Sequence, residues 1–226
     1  MRAPLSVIIP TLNAAGDLPR SIPPLMEGVE AGVIRQLVIT DGGSTDETVK
    51  MAEGMGADLV QGAASRGGQI GRGAAAAKGA WLLILHADTV LPQGWTDAVQ
   101  AHIAQAPDRA AHFKLGFDSR GTMALVTARW ANLRARLGLP YGDQGLLIST
   151  SLYNDMGGCP DIPLMEDVAM ARALRGRHRQ LPLSVTTSAR KYAKAGWIRQ
   201  GAGNLLRLCR YLCGASPDAL ARGYRR

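Results

Sequence analysis

The first 90 residues alternate short, continuous apolar runs with helical patterns, and this alternation constrains the fold more than any single residue does. Leu5 to Ile9, Ile34 to Thr40, Ala57 to Gln61 and Trp81 to His86 read as strands. Helices are expected between them, over about Ala14 to Gly28, from Ser44 onward, and over Gln69 to Gly79. A strand apolar at every position is covered on both faces, so the pattern predicts an α/β chain with a mostly parallel, Rossmann-like sheet flanked by helices. Asn13 is the expected cap of the first helix, and Ser44-Thr45-Asp46-Glu47 suits the start of the second. Ligands of such sheets bind outside the carboxyl ends of the strands. Those ends carry Thr11, Asp41 and Asp88, three polar positions that point to one crevice.

Beyond Pro92 the pattern predicts helices over Trp95 to Ala106, Thr122 to Leu137 and Leu164 to Leu174. Strands are expected over Ala110 to Phe117 and Leu146 to Ser149, with a loop from Gly138 to Gly145. The last forty residues read as one or two amphipathic helices around Trp197, Leu205, Leu208 and Leu212, broken by Gly214 and Pro217. No repeat or long linker divides the 226 residues, so one domain is expected. A hydrophobic share of 46% with 19% charged residues excludes a disordered chain. No apolar run approaches the roughly 20 residues that span a bilayer, and the N-terminal apolar stretch is too short for a signal peptide. Three cysteines do not make a disulfide framework, so the chain reads as cytoplasmic with reduced thiols.

The net charge of +8 is unevenly placed. From Arg172 onward there are 13 Lys or Arg against the single acid Asp218; the preceding residues carry 13 basic and 17 acidic side chains. A basic tail of this kind suits a phosphate-bearing partner, a nucleoside diphosphate, an anionic lipid surface or nucleic acid, or simply a solvated face. It shows no nucleic-acid motif, and no nucleic-acid partner is expected.

Four strings carry a family resemblance. Val7-Ile8-Ile9-Pro10-Thr11-Leu12-Asn13, Asp41-Gly42-Gly43-Ser44-Thr45-Asp46-Glu47-Thr48, Leu85-His86-Ala87-Asp88-Thr89 and Met165-Glu166-Asp167-Val168 resemble, in order and spacing, the family 2 glycosyltransferases of the GT-A fold. The strings Tyr141-Gly142-Asp143-Gln144-Gly145 and Pro160 to Asp167 are similar to a small bacterial subgroup, "transferase 2", linked to radical-SAM proteins and proposed arsenosugar synthesis. The resemblance implies an inverting, metal-dependent transferase moving one sugar from a nucleotide-sugar donor, UDP-linked by expectation, to a small-molecule or lipid-linked acceptor. It also implies a nucleotide-binding part to about residue 90, an acceptor part to about 185 and a basic helical tail.

Residue by residue, the resemblance assigns Asp41 to the nucleotide base; the bland reading is an Asp-Gly turn capping the next helix. Thr11 and Asn13 would line the nucleotide pocket, while Ala14 and Ala15 stand where the family has a Glu for the ribose. Asp88 ends the family's Asp-x-Asp motif and would hold Mn²⁺ or Mg²⁺ as a hard oxygen ligand. His86 replaces the first carboxylate; it contacts the nucleotide or is hydrogen-bonded in place. Arg66 and Gln69 lie in a glycine-rich basic segment before a helix, suited to phosphate or donor sugar. Asp143 and Gln144 would edge the sugar or acceptor pocket. Asp167 is expected as the catalytic base with Glu166 as a positioning neighbour, although two acids in a first helical turn also merely favour the helix. Lys191, Lys194 and Arg199 flank Trp197 in a segment that closes over a diphosphate or lies on a membrane with Trp197 inserted, making peripheral attachment at the inner face one reading. The competing classes are a sugar-phosphate nucleotidyltransferase, disfavoured because no basic residue follows the first strand until Arg20, and a non-catalytic nucleotide- or nucleic-acid-binding module, which would leave Asp88 and Asp167 unexplained.

Overall fold

The structure, a computed structural model, describes residues 3–174 and 176–224. Met1 and Arg2 of the N-terminal stretch, and Arg175, Arg225 and Arg226 of the basic tail, lie outside the described residues. Four strands, β1 (Leu5–Thr11), β2 (Ile34–Asp41), β3 (Asp58–Gln61) and β4 (Trp81–Ile84), pair in parallel, as the apolar runs predict. β5 (Ala110–Phe117) and β6 (Leu146–Ser149) follow, with β6 antiparallel to both β4 and β5. β7 (His178–Thr187) returns parallel to β5. Among the described residues these form one seven-stranded sheet in the order β3-β2-β1-β4-β6-β5-β7.

Helices cover both faces, in chain order α1 (Leu18–Ser21), α2 (Met26–Glu30), α3 (Thr48–Gly54), α4 (Arg66–Ala76), α5 (Trp95–Gln105), α6 (Thr122–Arg136), α7 (Thr150–Asp155), α8 (Glu166–Leu174), α9 (Arg190–Ala195), α10 (Trp197–Leu212) and α11 (Pro217–Tyr224). On one face Leu5, Val7, Ile9 and Leu83 pack with Trp95 and Phe113. On the other, Ile8, Leu82, Ile84 and Ile148 pack with Ile70 of α4 and Met170 and Leu174 of α8. Burying both faces of β1 and β4 is what their unbroken apolar sequence demands.

The structure corrects four expectations. The first helix is not continuous: Pro19, Pro23 and Pro24 remove amide donors, and the segment becomes α1, a 3₁₀ turn at Pro23–Leu25, and α2. Asn13 does not cap it; at φ 52° it turns back and accepts the Thr45 N–H. The second helix starts at Thr48, because residues 44–46 are spent on the loop that follows β1: Ser44 accepts the Asn13 N–H and Asp46 the Ala15 N–H. Among the described residues the tail forms three helices rather than one or two. β7 was not expected either. Its alternation of buried Leu181, Val185 and Thr187 is the signal, masked by Pro182 and the preceding basic residues. The pairing with β5 shifts register where Pro182 sits, as proline requires of a sheet.

Candidate active site

The carboxyl ends of β1 and β4, the start of α4, the 141–143 loop and the start of α8 enclose a pocket of about 690 Å³, with α9 and α10 closing its far side. One wall comes from the first half of the chain. The β1–β2 register sets Thr11 beside Asp41, and the Thr11 hydroxyl donates to Asp41 Oδ1 at 3.1 Å. Asp41 Oδ2 accepts the backbone N–H groups of Gly43 and Ser44, both at 2.8 Å, and the Ser44 hydroxyl donates to Oδ1. Burial alone would raise this carboxyl's pKa, but the donors from Ser44, Gly43 and Thr11 outweigh it and hold it below the usual range. Gln69, almost fully buried, donates its amide to the carbonyls of Thr11 (2.8 Å) and Thr40 (2.7 Å), tying the ends of β1 and β2 to α4.

The opposite wall is acidic. Glu166 and Asp167 open α8, directly after Met165, a non-glycine residue at φ 70°. Such a conformation stores strain, on the order of 1–3 kcal/mol, and aims the next residues into the pocket. Glu166 is 1% exposed and pairs with Arg66 at 3.5 Å. Its burial, and then the charge of Asp167, push its pKa upward. Asp167 Oδ2 accepts the Gly142 N–H at 2.9 Å and Oδ1 the Val168 N–H at 2.7 Å, which fixes its plane and leaves lone pairs toward the pocket. Asp143 lies on the same loop, with Oδ1 buried and without a hydrogen-bond partner. Burial pushes its pKa up to about 6; Arg134 opposes this, and Asp167 and Asp88 reinforce it. His86, in the turn after β4, is held well below its ordinary pKa by burial and by Arg66 and Lys191, so the imidazole is neutral at pH 7. Gly142 presses on that ring: a Cβ there would lie 2.4 Å from His86 Nε2.

The sequence between residues 6 and 153 matches the family model described as glycosyl transferase family 2. The chain belongs to that family. Its fold is that of TarS from S. aureus, solved as residues 1–349 with UDP-GlcNAc: TM-score 0.63 and 19% identity, covering 82% of this chain and 58% of that one. It is also that of glucosyl-3-phosphoglycerate synthase from Mycobacterium tuberculosis, solved with Mn²⁺, UDP and phosphoglyceric acid: TM-score 0.63 and 20% identity, covering 91% of this chain and 78% of that one. This chain therefore spans a little over half the length of the TarS fragment. None of the curated proteins compared with the sequence matches it.

In this family 2 chain the pocket is lined by Thr11, Asn13, Arg66, Gln69, His86, Asp88, Asp143, Glu166 and Asp167, nine of the residues singled out from sequence. Asp41 and Gln144 do not line it. Asp41 is completely buried beneath Thr11, its carboxylate filled by its own turn, which is the structural alternative to base contact. Gln144, also completely buried, donates to the Phe113 carbonyl at 3.1 Å and to Asn132 Oδ1 at 3.3 Å, bracing the loop from behind. The glycine-rich segment is not an open phosphate cradle at Gly67, whose missing Cβ would sit 2.0 Å from the Pro160 carbonyl; that glycine admits the loop leading to Glu166.

Among the described residues no three His, Cys, Asp or Glu side chains converge as a metal cage. Asp88 faces the pocket, and its charge reaches Asp143, whose Oδ1 is buried without a partner. One or two carboxylates plus diphosphate oxygens and water suit Mg²⁺ or Mn²⁺, so the residues fit a hard cation that arrives with its substrate.

Sequence reasoning offered the 191–199 segment as a cover and missed the contribution of the helix that follows it. Lys191 lines the pocket, but Lys194 and Arg199 do not. Trp197 stacks on Tyr192 at 4.9 Å and meets Phe117 edge-on at 5.2 Å. Gln200, Asn204 and Arg207 reach the pocket from α10, a spacing of four and three that marks one helix face. Arg190 pairs with Asp17, and Arg20 with Asp118 at 2.8 Å, latching this cover to α1. Arg134 was missed as well; it is 7% exposed, donates to the Leu139 carbonyl and lies 3.2 Å from the Tyr141 ring centroid, which positions the acidic loop.

Proposed function

We propose that this pocket binds a nucleotide-sugar donor, with UDP the expected nucleotide, and transfers one sugar with inversion to an acceptor hydroxyl. The observation that carries the reading is the confinement of Asp88, Asp143, Glu166 and Asp167 in one pocket with Arg66 and Lys191. Four carboxylates facing one pocket, two of them raised in pKa, suit cationic or hydroxyl-bearing ligands. UDP-GlcNAc in TarS and UDP with Mn²⁺ in glucosyl-3-phosphoglycerate synthase support the donor class. Thr11 and Asn13 would border the nucleoside in the part of the chain before residue 90, and the segment up to about 185 would hold the acceptor.

Asp88, whose charge is felt at Asp143, would hold the divalent cation. When bound, that ion offsets the charge developing on the departing diphosphate. The chain's own residues do the rest. Arg66 and Lys191 bring positive charge to the phosphates. Asp167 takes the proton of the acceptor hydroxyl as its oxygen bonds to the anomeric carbon, while the bond from that carbon to the diphosphate breaks and the diphosphate leaves with its electron pair. Glu166 pairs with Arg66 and so couples the donor side to the base. Neutral His86 supports the Gly142 backbone that orients Asp167. The 141–145 loop and the 160–167 segment support assignment to the "transferase 2" subgroup within the family.

The reading is tested by calorimetric titration with UDP, GDP and ADP, with and without Mn²⁺. UDP is expected to bind, more tightly with Mn²⁺, and Asp88→Ala is expected to lose the Mn²⁺-dependent gain. A folded protein that binds none of the three would overturn it.

A further inference from the structure

Two neighbouring helices leave large apolar side chains in solvent. On α6 and its C-terminal cap, Met123, Val126, Trp130, Leu133 and Leu137 recur at intervals of three and four residues, the period of one helix face. Each is at least 38% exposed; Trp130 is 50% and Leu137 76% exposed. Opposite them, Ala124, Ala128, Ala131 and Ala135 form the buried side of the helix. α10 packs beside α6 and repeats the arrangement: Ile198, Ala202, Leu205, Cys209 and Leu212 are exposed. The other side of α10 supplies Gln200, Asn204 and Arg207 to the pocket. The helix thus has a polar face spent on the site and an apolar face left exposed among the described residues.

The charge on these two helices is of one sign, and Asp218 on neighbouring α11 is the nearest exposed acid in the tail. Neither α6 nor the stretch from Arg190 to Leu212 contains an acidic residue, while Arg129, Arg136, Lys194, Arg199 and Arg210 are exposed around the apolar stripes. We propose that α6 and α10 together dock the protein onto the surface of an anionic lipid bilayer, the stripes entering the interface and the cations meeting lipid phosphates. Amphipathic helices with Trp and Leu on one face and Lys or Arg on the other lie in the membrane plane in this way, and each cation near the surface adds to the attraction. A second copy is the poorer occupant. In a two-fold dimer each face meets itself, so the arginines would meet arginines with no acid between them. No described helix is long and apolar enough to cross a membrane, so the contact is interfacial. The inference does not depend on the transfer chemistry.

The test is sedimentation of the full chain with vesicles of phosphatidylcholine alone or mixed with phosphatidylglycerol, read together with tryptophan emission. Binding to the mixed vesicles, weakening as salt rises, and little binding to phosphatidylcholine alone are expected. Leu133→Asp/Leu205→Asp, each at an exposed position, is expected to weaken binding on the order of 100-fold with unchanged circular dichroism. The emission shift to shorter wavelength is expected to vanish in Trp130→Phe, which still sediments. That second variant keeps the test sharp should the double variant unfold. Absence of vesicle binding, an undiminished emission shift in Trp130→Phe, or a size-exclusion dimer abolished by the double variant without vesicle binding would each overturn the proposal. None of these results bears on the nucleotide titration, so the two readings fail separately.

Discussion

The two walls of the pocket are built on opposite principles. On the wall from β1, β2 and α4, the side chains of Asp41, Gln69 and Asn13 are spent on internal hydrogen bonds. Asp41 takes four donors from Thr11, Gly43 and Ser44, Gln69 bridges two strand carbonyls, and Asn13 holds the Thr45 amide. On the wall from the 141–145 loop and α8, Asp143 Oδ1 has no partner, Glu166 is buried beside another acid, and Met165 is strained. Satisfied polar groups give a rigid frame; unsatisfied ones are tolerated only where something else completes them. The first wall holds the shape, and under the proposed function the second carries the chemistry.

The largest expected effect falls on the second wall. Asp167→Asn keeps the size but removes the proton acceptor, and its single amide oxygen can accept only one of the two N–H groups, that of Gly142 or that of Val168. Transfer is expected to fall by about 10³-fold, with nucleoside diphosphate affinity unchanged. A variant that transfers normally would show that the base lies elsewhere and that the contrast between the walls does not mark catalysis.

The first wall breaks differently. Asp41→Ala strands the Gly43 and Ser44 amides and two hydroxyls beneath Thr11 and is expected to destabilise the fold by about 3 kcal/mol or more in denaturant unfolding. Because the Asp41 pKa is lowered in the fold, its contribution is present at neutral pH and is lost as the pH falls through that lowered value. The wild-type–variant gap should therefore narrow in acid. If Asp41→Ala unfolds at the wild-type denaturant midpoint while nucleotide affinity collapses, Asp41 is a ligand after all and the wall is not merely a frame.

These two walls were unequally legible. The parallel core could be read from Leu5–Ile9 and Trp81–Leu85 because burial on both faces leaves a one-dimensional trace, an unbroken apolar run. Glu166 and Asp167 could be located by their motif, as could Asp88. What could not be read was set by contacts between distant segments. Asp41 looks the same in sequence whether it faces a ligand or its own turn, and only the Thr11 register decides. β7 is interrupted by Pro182, and the covering helices owe their position to Arg190–Asp17 and to the Phe117–Tyr192–Trp197 cluster, pairs far apart in the chain. Arg134 is one of several arginines on its helix until Tyr141 is seen to lie on it.

The smallest effect is also the sharpest comparison, because it reverses the sign seen at Asp41. Asp143 has a folded-state pKa of about 6 against 3.8 for the ordinary group. The fold favours its protonated form, so the carboxyl supports folding below about pH 4 and loses that contribution as the pH rises through 6. Above that, ionised Asp143 works against the fold. Asp143→Asn removes the charge and keeps the size, so it is expected to stabilise the protein at pH 7.5 by about 1–2 kcal/mol, reduced from the full linkage value by hydration at the pocket edge. That corresponds to roughly 4 °C in melting temperature, with no difference at pH 4. Thermal melts of the two proteins at both pH values decide it. An increase at pH 7.5 alone means that stability is given up at this carboxylate for a ligand that would meet it. Equal melting temperatures at both pH values would mean that Asp143 is as well satisfied as Asp41, and that the two walls do not differ in kind.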